Sequence, residues 1–127
     1  MIKNLLIVTA LFESATGIGL IVLPSLPVSL LLGVSIDTPG ALVLARVAGA
    51  ALLTLGIACW LARHDGKSRT GRAVVVAMLV YNIVVAGVLV QASLGLGVTG
   101  AGLWPAVGLH TVMAFLCILC LLRQREE

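Results

Sequence analysis

The sequence predicts an all-α integral membrane protein, a single domain over residues 1–127 built as a bundle of four transmembrane helices. Hydrophobic residues make up 61% of the chain and charged residues 10%, whereas a soluble domain is about half apolar and about a quarter charged. The charges are also unevenly placed, because no Asp, Glu, Lys or Arg occurs between Ala73 and Leu122. Composition and charge placement together predict membrane spans.

A helix needs about 20 mainly apolar residues to cross the hydrocarbon core. The charge-free region divides at the Gly-rich stretch 94–102, which leaves room for two spans. Upstream, one apolar segment ends before Pro24 and a second ends at the polar run 63–69. Glu13 lies inside the first segment, which disfavours the alternative of a secretory signal peptide there. The four predicted spans are 5–23, 41–62, 73–93 and 103–122.

Basic residues outside these spans predict the orientation. The connections 24–40 and 94–102 contain no Lys or Arg. Basic residues remain on the cytoplasmic side of a membrane, so both termini and the middle loop are expected there. The pI near 9.1 is therefore explained by basic residues at the membrane edges, where they attract anionic lipid heads. We expect no nucleic-acid partner. The seven basic residues outside the spans are Lys3, Arg63, Lys67, Arg69, Arg72, Arg123 and Arg125.

The connection between the first two spans contains an apolar segment, 25–33. It is too apolar for a free aqueous loop and too short to span. We expect a short helix lying in the membrane interface. The alternative is a lid over a cavity between the helices.

Five polar side chains fall within the predicted spans, where such groups cost several kcal/mol unless they are matched. At about 1.5 Å per residue, all five lie in a central-to-outer belt. Arg46 has a long stem and is expected to reach Glu13. In one interpretation, such a pair fixes how the helices pack. In the other, the Glu13 carboxylate exchanges protons or binds a cation. Pairing with Arg46 would keep the carboxylate ionised and so disfavour proton transfer. The belt comprises Glu13, Arg46, Tyr81, Asn82 and His110.

The last span carries a stripe of soft-metal ligand types on one helical face, at positions i, i+3, i+7 and i+10. Imidazole, thioether and thiolate suit Cu(I), but Cys and Met are also ordinary packing residues. Packing is favoured because the spans contain no second His. No haem ligand pair, catalytic triad or paired carboxylates occur, so we expect no enzyme activity and no cofactor. The stripe is His110, Met113, Cys117 and Cys120.

Two family resemblances follow from these residues. In length, in four-span topology and in Arg46 followed three residues later by Gly49, the chain resembles small bacterial inner-membrane proteins of the DoxX-like kind. That resemblance implies a four-helix bundle in the bacterial inner membrane, without one particular activity. The lone membrane carboxylate, Glu13, is also similar to that of small multidrug resistance transporters. The few aromatic residues and the Arg within the second span depart from that family.

Three functions are consistent with the sequence. Smooth apolar helix surfaces favour a non-enzymatic accessory or structural subunit, which associates with itself or with a larger membrane complex. The alternative is a small transporter or ligand binder that uses Glu13 and Arg46. The third is a copper-handling protein that uses the stripe of the last span.

Overall fold

The computed structural model describes residues 1–66 and 68–126. The described chain forms five α-helices. All except the second are long and apolar enough to cross a membrane, with mean hydropathy between 2.1 and 2.7. This confirms the four predicted spans as four long apolar helices. The helices are α1 (Ile2–Val22), α2 (Ser25–Leu32), α3 (Pro39–Ala62), α4 (Arg69–Leu96) and α5 (Leu103–Glu126).

Local capping sets where the helices begin and end. The Thr38 hydroxyl accepts the Ala41 N–H at 3.3 Å at the start of α3, and the Ser68 hydroxyl accepts the Gly71 N–H at 3.0 Å at the start of α4. Gly97 ends α4 at a φ of 69°, a left-handed conformation that glycine adopts readily. Bounded by the caps at Ser68 and Gly97, α4 extends beyond the predicted span 73–93 at both ends.

The long helices pack chiefly as two pairs, α1 with α3 and α4 with α5. Gly17 and Gly49 allow the first pair to approach closely. A Cβ on Gly17 would lie 2.7 Å from the Gly49 carbonyl oxygen, and a Cβ on Gly49 would lie 2.7 Å from the Gly17 carbonyl oxygen. Small residues allow such backbone contact between membrane helices. The α1–α3 contact therefore depends on these two glycines.

The two ends of the molecule differ in chemistry. At one end, residues 1–3, the α3–α4 loop and the last turns of α5 surround a depression. We call this end of the molecule the basic end. At the opposite end, called the α2 end, the Gly102 N–H donates to the Leu30 carbonyl oxygen at 2.8 Å. This bond ties α2 to the loop between α4 and α5. The described basic residues of the termini and middle loop thus lie at one end, the arrangement that the predicted orientation requires.

The hydrophobic core lies in the half of the molecule nearer the basic end. All four long helices contribute to it, and its members include most of the sulfur-containing side chains. Packing in the α2 half is different, because a cavity occupies the space between the helices there. The core comprises Leu5, Leu6, Ala10, Cys59, Ala62, Val75, Met78, Met113, Cys117 and Cys120.

The glycine contact yields a stability prediction. We expect Gly17→Ala to lower the free energy of unfolding by about 1–3 kcal/mol, because the added methyl group overpacks the α1–α3 interface. Gly87→Ala is the matched control, since a Cβ there meets nothing within 4 Å and Ala is the better helix former. Unfolding in mixed detergent micelles, followed by circular dichroism, measures both. Equal effects of the two substitutions would contradict the close contact.

Candidate functional site

Four of the five predicted belt residues come together near the middle of the long helices. Glu13 of α1 is 7% exposed and Asn82 of α4 is 2% exposed, while Tyr81 of α4 and His110 of α5 are half-buried. The Tyr81 hydroxyl donates to Glu13 Oε2 at 3.1 Å. This bond connects the α1–α3 pair to the α4–α5 pair. We call Glu13, Tyr81, Asn82 and His110 the polar cluster.

Asn82 fixes the protonation pattern of the neighbouring imidazole. Asn82 Nδ2 donates to the Met78 carbonyl oxygen at 2.7 Å, so its Oδ1 faces His110 as an acceptor. His110 Nδ1 lies 2.8 Å from that oxygen and must carry the hydrogen, because an amide oxygen only accepts. His110 Nε2 is left as the ring nitrogen that can accept a hydrogen bond from another molecule.

Aromatic contact joins the two halves of the polar cluster. The rings of Tyr81 and His110 are edge to face, with centroids 5.6 Å apart and an interplanar angle of 77°. Such edge-to-face pairs are a favourable arrangement of aromatic rings. The carboxyl, phenol, amide and imidazole groups therefore form one connected cluster from three helices.

Arg46 is the belt residue that the structure places elsewhere. Its side chain is exposed on α3, and no ion pair joins it to Glu13 among the described residues. The predicted Glu13–Arg46 pairing is therefore corrected. Its physical cause is the register of the α1–α3 contact: Ser14, the neighbour of Glu13, packs against Gly56, so Glu13 lies well along α3 from the level of Arg46. Glu13 faces α4 instead.

A cavity of about 350 Å³ lies between the polar cluster and α2. This volume is within the range of small-molecule sites, about 300–1,000 Å³. Tyr81 and His110 form its floor, and residues 27, 28 and 30–32 of the α2 segment form its roof. The sequence alternative for segment 25–33, a lid over a cavity between the helices, predicted such a space but not its lining residues. The remaining lining residues are Thr16, Leu20, Leu52, Val85, Leu89, Gly102, Ala106 and Leu109.

A much smaller space of about 10 Å³ lies behind this floor. Glu13, Asn82 and His110 line its polar part, and its volume corresponds to about one water molecule. His110 borders both spaces, whereas Glu13 borders only the small one. Tyr81 and His110 thus separate the carboxyl group of Glu13 from the apolar cavity.

The predicted metal stripe of α5 packs into the core. Met113, Cys117 and Cys120 are buried, and all three cysteines of the chain are free. His110, the fourth member, is bonded to Asn82. Among the side chains described, those of residues 1–66 and 68–124, no three His, Cys, Asp or Glu are grouped as metal ligands. The described geometry thus gives the copper hypothesis no support.

Comparison with protein-family models, with curated proteins and with solved structures found no match. The resemblance to DoxX-like proteins therefore stays a prediction.

The polar contacts can be tested by double-mutant cycles on the free energy of unfolding. We expect Glu13→Leu and Tyr81→Phe to be coupled by about 0.5–2 kcal/mol, the range measured for hydrogen bonds between membrane helices. The matched control cycle combines Glu13→Leu with Arg46→Gln, for which we expect coupling near zero. A large coupling in the control cycle would contradict the structure and support an ion pair between Glu13 and Arg46.

Proposed function

We propose that this chain is a non-enzymatic, multi-pass protein of the bacterial inner membrane that binds a small amphiphilic molecule between its helices. The observation that supports this proposal is the cavity of about 350 Å³ whose floor is formed by Tyr81 and His110. The apolar body of the ligand fills the cavity, and its polar end meets the floor. This is the ligand-binding alternative of the sequence, with His110 in the place of Arg46.

The chemistry of the cavity specifies the class of ligand. Its walls are mostly aliphatic side chains, so a charged ligand would lose its hydration without an opposite charge to replace it. His110 Nε2 is an acceptor, because Nδ1 is committed to Asn82. A ligand that donates one hydrogen bond is therefore favoured. The best fit is an uncharged, largely hydrocarbon molecule with a terminal hydroxyl group.

Access to the cavity is assigned to α2. This helix contains no buried residue, and its C-terminal part is tied to the α4–α5 loop through Leu30 and Gly102. A short, poorly buried helix opens at low free energy compared with the core. In the predicted orientation, α2 lies at the outer face of the membrane, so the ligand would enter from the outer leaflet.

Binding of farnesol and of its hydrocarbon counterpart farnesene tests the ligand class. We expect the protein in nanodiscs to bind farnesol about fivefold more tightly, which corresponds to one net hydrogen bond of about 1 kcal/mol. Equilibrium binding of the radiolabelled compounds, corrected with empty nanodiscs, measures the ratio. Tyr81→Phe should retain the preference, while His110→Phe should abolish it. Equal binding of the two compounds by the wild type would contradict the assigned role of His110.

Occupancy of the cavity is tested by filling it. Ala106 lines the cavity, so Ala106→Leu is expected to weaken the binding of both compounds about tenfold, as overpacking of a filled site does. Gly108→Leu is the matched control, two residues along α5, where an added Cβ meets nothing within 4 Å. Identical affinities of the two variants would place the ligand outside this cavity.

A second candidate function is the accessory subunit, and the position of Arg46 favours it. Arg46 is exposed on α3, seven residues from the start of that helix at Pro39. A guanidinium at this depth needs a partner or must extend to the lipid headgroups. A carboxylate on a second copy or on a larger membrane complex would match it.

Purification in mild detergent distinguishes this second candidate. If Arg46 meets a partner carboxylate, Arg46→Leu should dissociate the assembly, as seen by size-exclusion chromatography with light scattering. Arg72→Leu, an exposed residue at the basic end, is the matched control and should leave the assembly unchanged. A wild-type protein that is monomeric and alone after mild extraction would eliminate the subunit function.

A further inference from the structure

The depression at the basic end has a volume of about 540 Å³. It forms where three separate chain segments meet: the start of α1, the loop after α3 and the last turns of α5. Gln124 strengthens this junction, because its Nε2 donates to the Gly66 carbonyl oxygen. The depression is lined by Met1, Ile2, Lys3, Arg63, His64, Asp65, Gly66, Cys120, Arg123 and Gln124.

The charges around this depression are predominantly positive. Among the side chains that the structure describes, Lys3, Arg63 and Arg123 line it, against the carboxylate of Asp65. Arg63 is held in place, with its guanidinium carbon 4.0 Å from the centre of the Trp60 ring. The hydrogen bond of Arg123 runs from Nη1 to the Met1 sulfur at 3.5 Å, which is a weak acceptor. None of these three cations forms an ion pair among the described residues.

Apolar surface adjoins the basic residues. Ile2 and Cys120 line the depression itself, and large apolar side chains near the ends of α3 and α5 are exposed beside it. Leu61 is 72% exposed and Leu122 is 51% exposed. Cationic side chains next to an apolar helix surface match a molecule with an anionic head and hydrocarbon tails. Basic pockets between helices at the cytoplasmic side of membranes bind such lipid heads.

We propose that the depression at the basic end binds the phosphate ester of an anionic phospholipid headgroup. Lys3 and Arg123 contact the phosphate, Arg63 closes the site from its position on Trp60, and the acyl chains lie along the exposed apolar surface of α3 and α5. This site is independent of the cavity under α2, since the two lie at opposite ends of the molecule. The proposed ligand is therefore a membrane lipid and not a soluble phosphate ester.

Native mass spectrometry of the full chain tests this proposal with dioleoyl phosphatidylglycerol and, as the neutral lipid, dioleoyl phosphatidylcholine. We expect phosphatidylglycerol to bind at least tenfold more tightly. The double variant Lys3→Gln/Arg123→Gln should abolish a tenfold preference, because each charge removed weakens phosphatidylglycerol binding by about fivefold. The matched double variant Arg69→Gln/Arg72→Gln removes the same charge from the same end, outside the depression, and should keep the preference.

Glycerol 3-phosphate, added in excess, separates the two sources of the phosphate. No displacement of phosphatidylglycerol supports a lipid site, in which the acyl chains contribute to binding. Displacement with retained sensitivity to Lys3 and Arg123 would overturn the lipid assignment, since the phosphate alone would then suffice. An equal loss of preference in both double variants would also overturn the proposal, because it would reduce the effect to general surface charge.

Discussion

The close backbone contact between α1 and α3 determines much of the remaining arrangement. Gly17 and Gly49 bring the two helices so near that no side chain fits between them at this point. This contact also sets the helix register, which places Ser14 against Gly56 and keeps Glu13 away from the level of Arg46. Glu13 turns to α4, where the Tyr81 hydroxyl reaches it, and Arg46 remains on the outer face of α3. The separation of the polar cluster from the exposed arginine thus follows the helix register that this contact sets.

A second constraint is that buried polar groups need hydrogen-bond partners. The polar cluster that meets this need lies between the packed core near the basic end and the cavity at the α2 end. Asn82 is almost completely buried and uses its amide nitrogen and oxygen in different directions. Below it, toward the basic end, aliphatic and sulfur-containing side chains fill the space between the helices. Above it, the small residues Gly102 and Ala106 and the short helix α2 leave a cavity. The polar cluster marks the boundary between filled and open space.

The sequence predicted the long helices well, because hydrophobic length is a property of each segment by itself. It also selected all four residues of the polar cluster, since a polar side chain in an apolar span needs a partner. It did not predict which of them would meet. The depths of Glu13 and Arg46 along their helices were compatible with pairing, but the rotation of each helix depends on contacts such as Gly17 with Gly49. The volume and lining of the cavity could not be predicted for the same reason, because five chain segments must be placed before they are defined.

The order of the helix pairs along the chain has a consequence for how the protein is made. The main partners, α1 with α3 and α4 with α5, are neighbours in synthesis except for the short α2. Each helix pair, here called a hairpin, can therefore pack together soon after its second helix leaves the ribosome. Its packing does not require residues that are synthesised much later. Local contacts of this kind favour rapid folding. The Glu13–Tyr81 hydrogen bond, which joins the hairpins, must form after the first half of α4 has been inserted, so it belongs to the late steps of assembly.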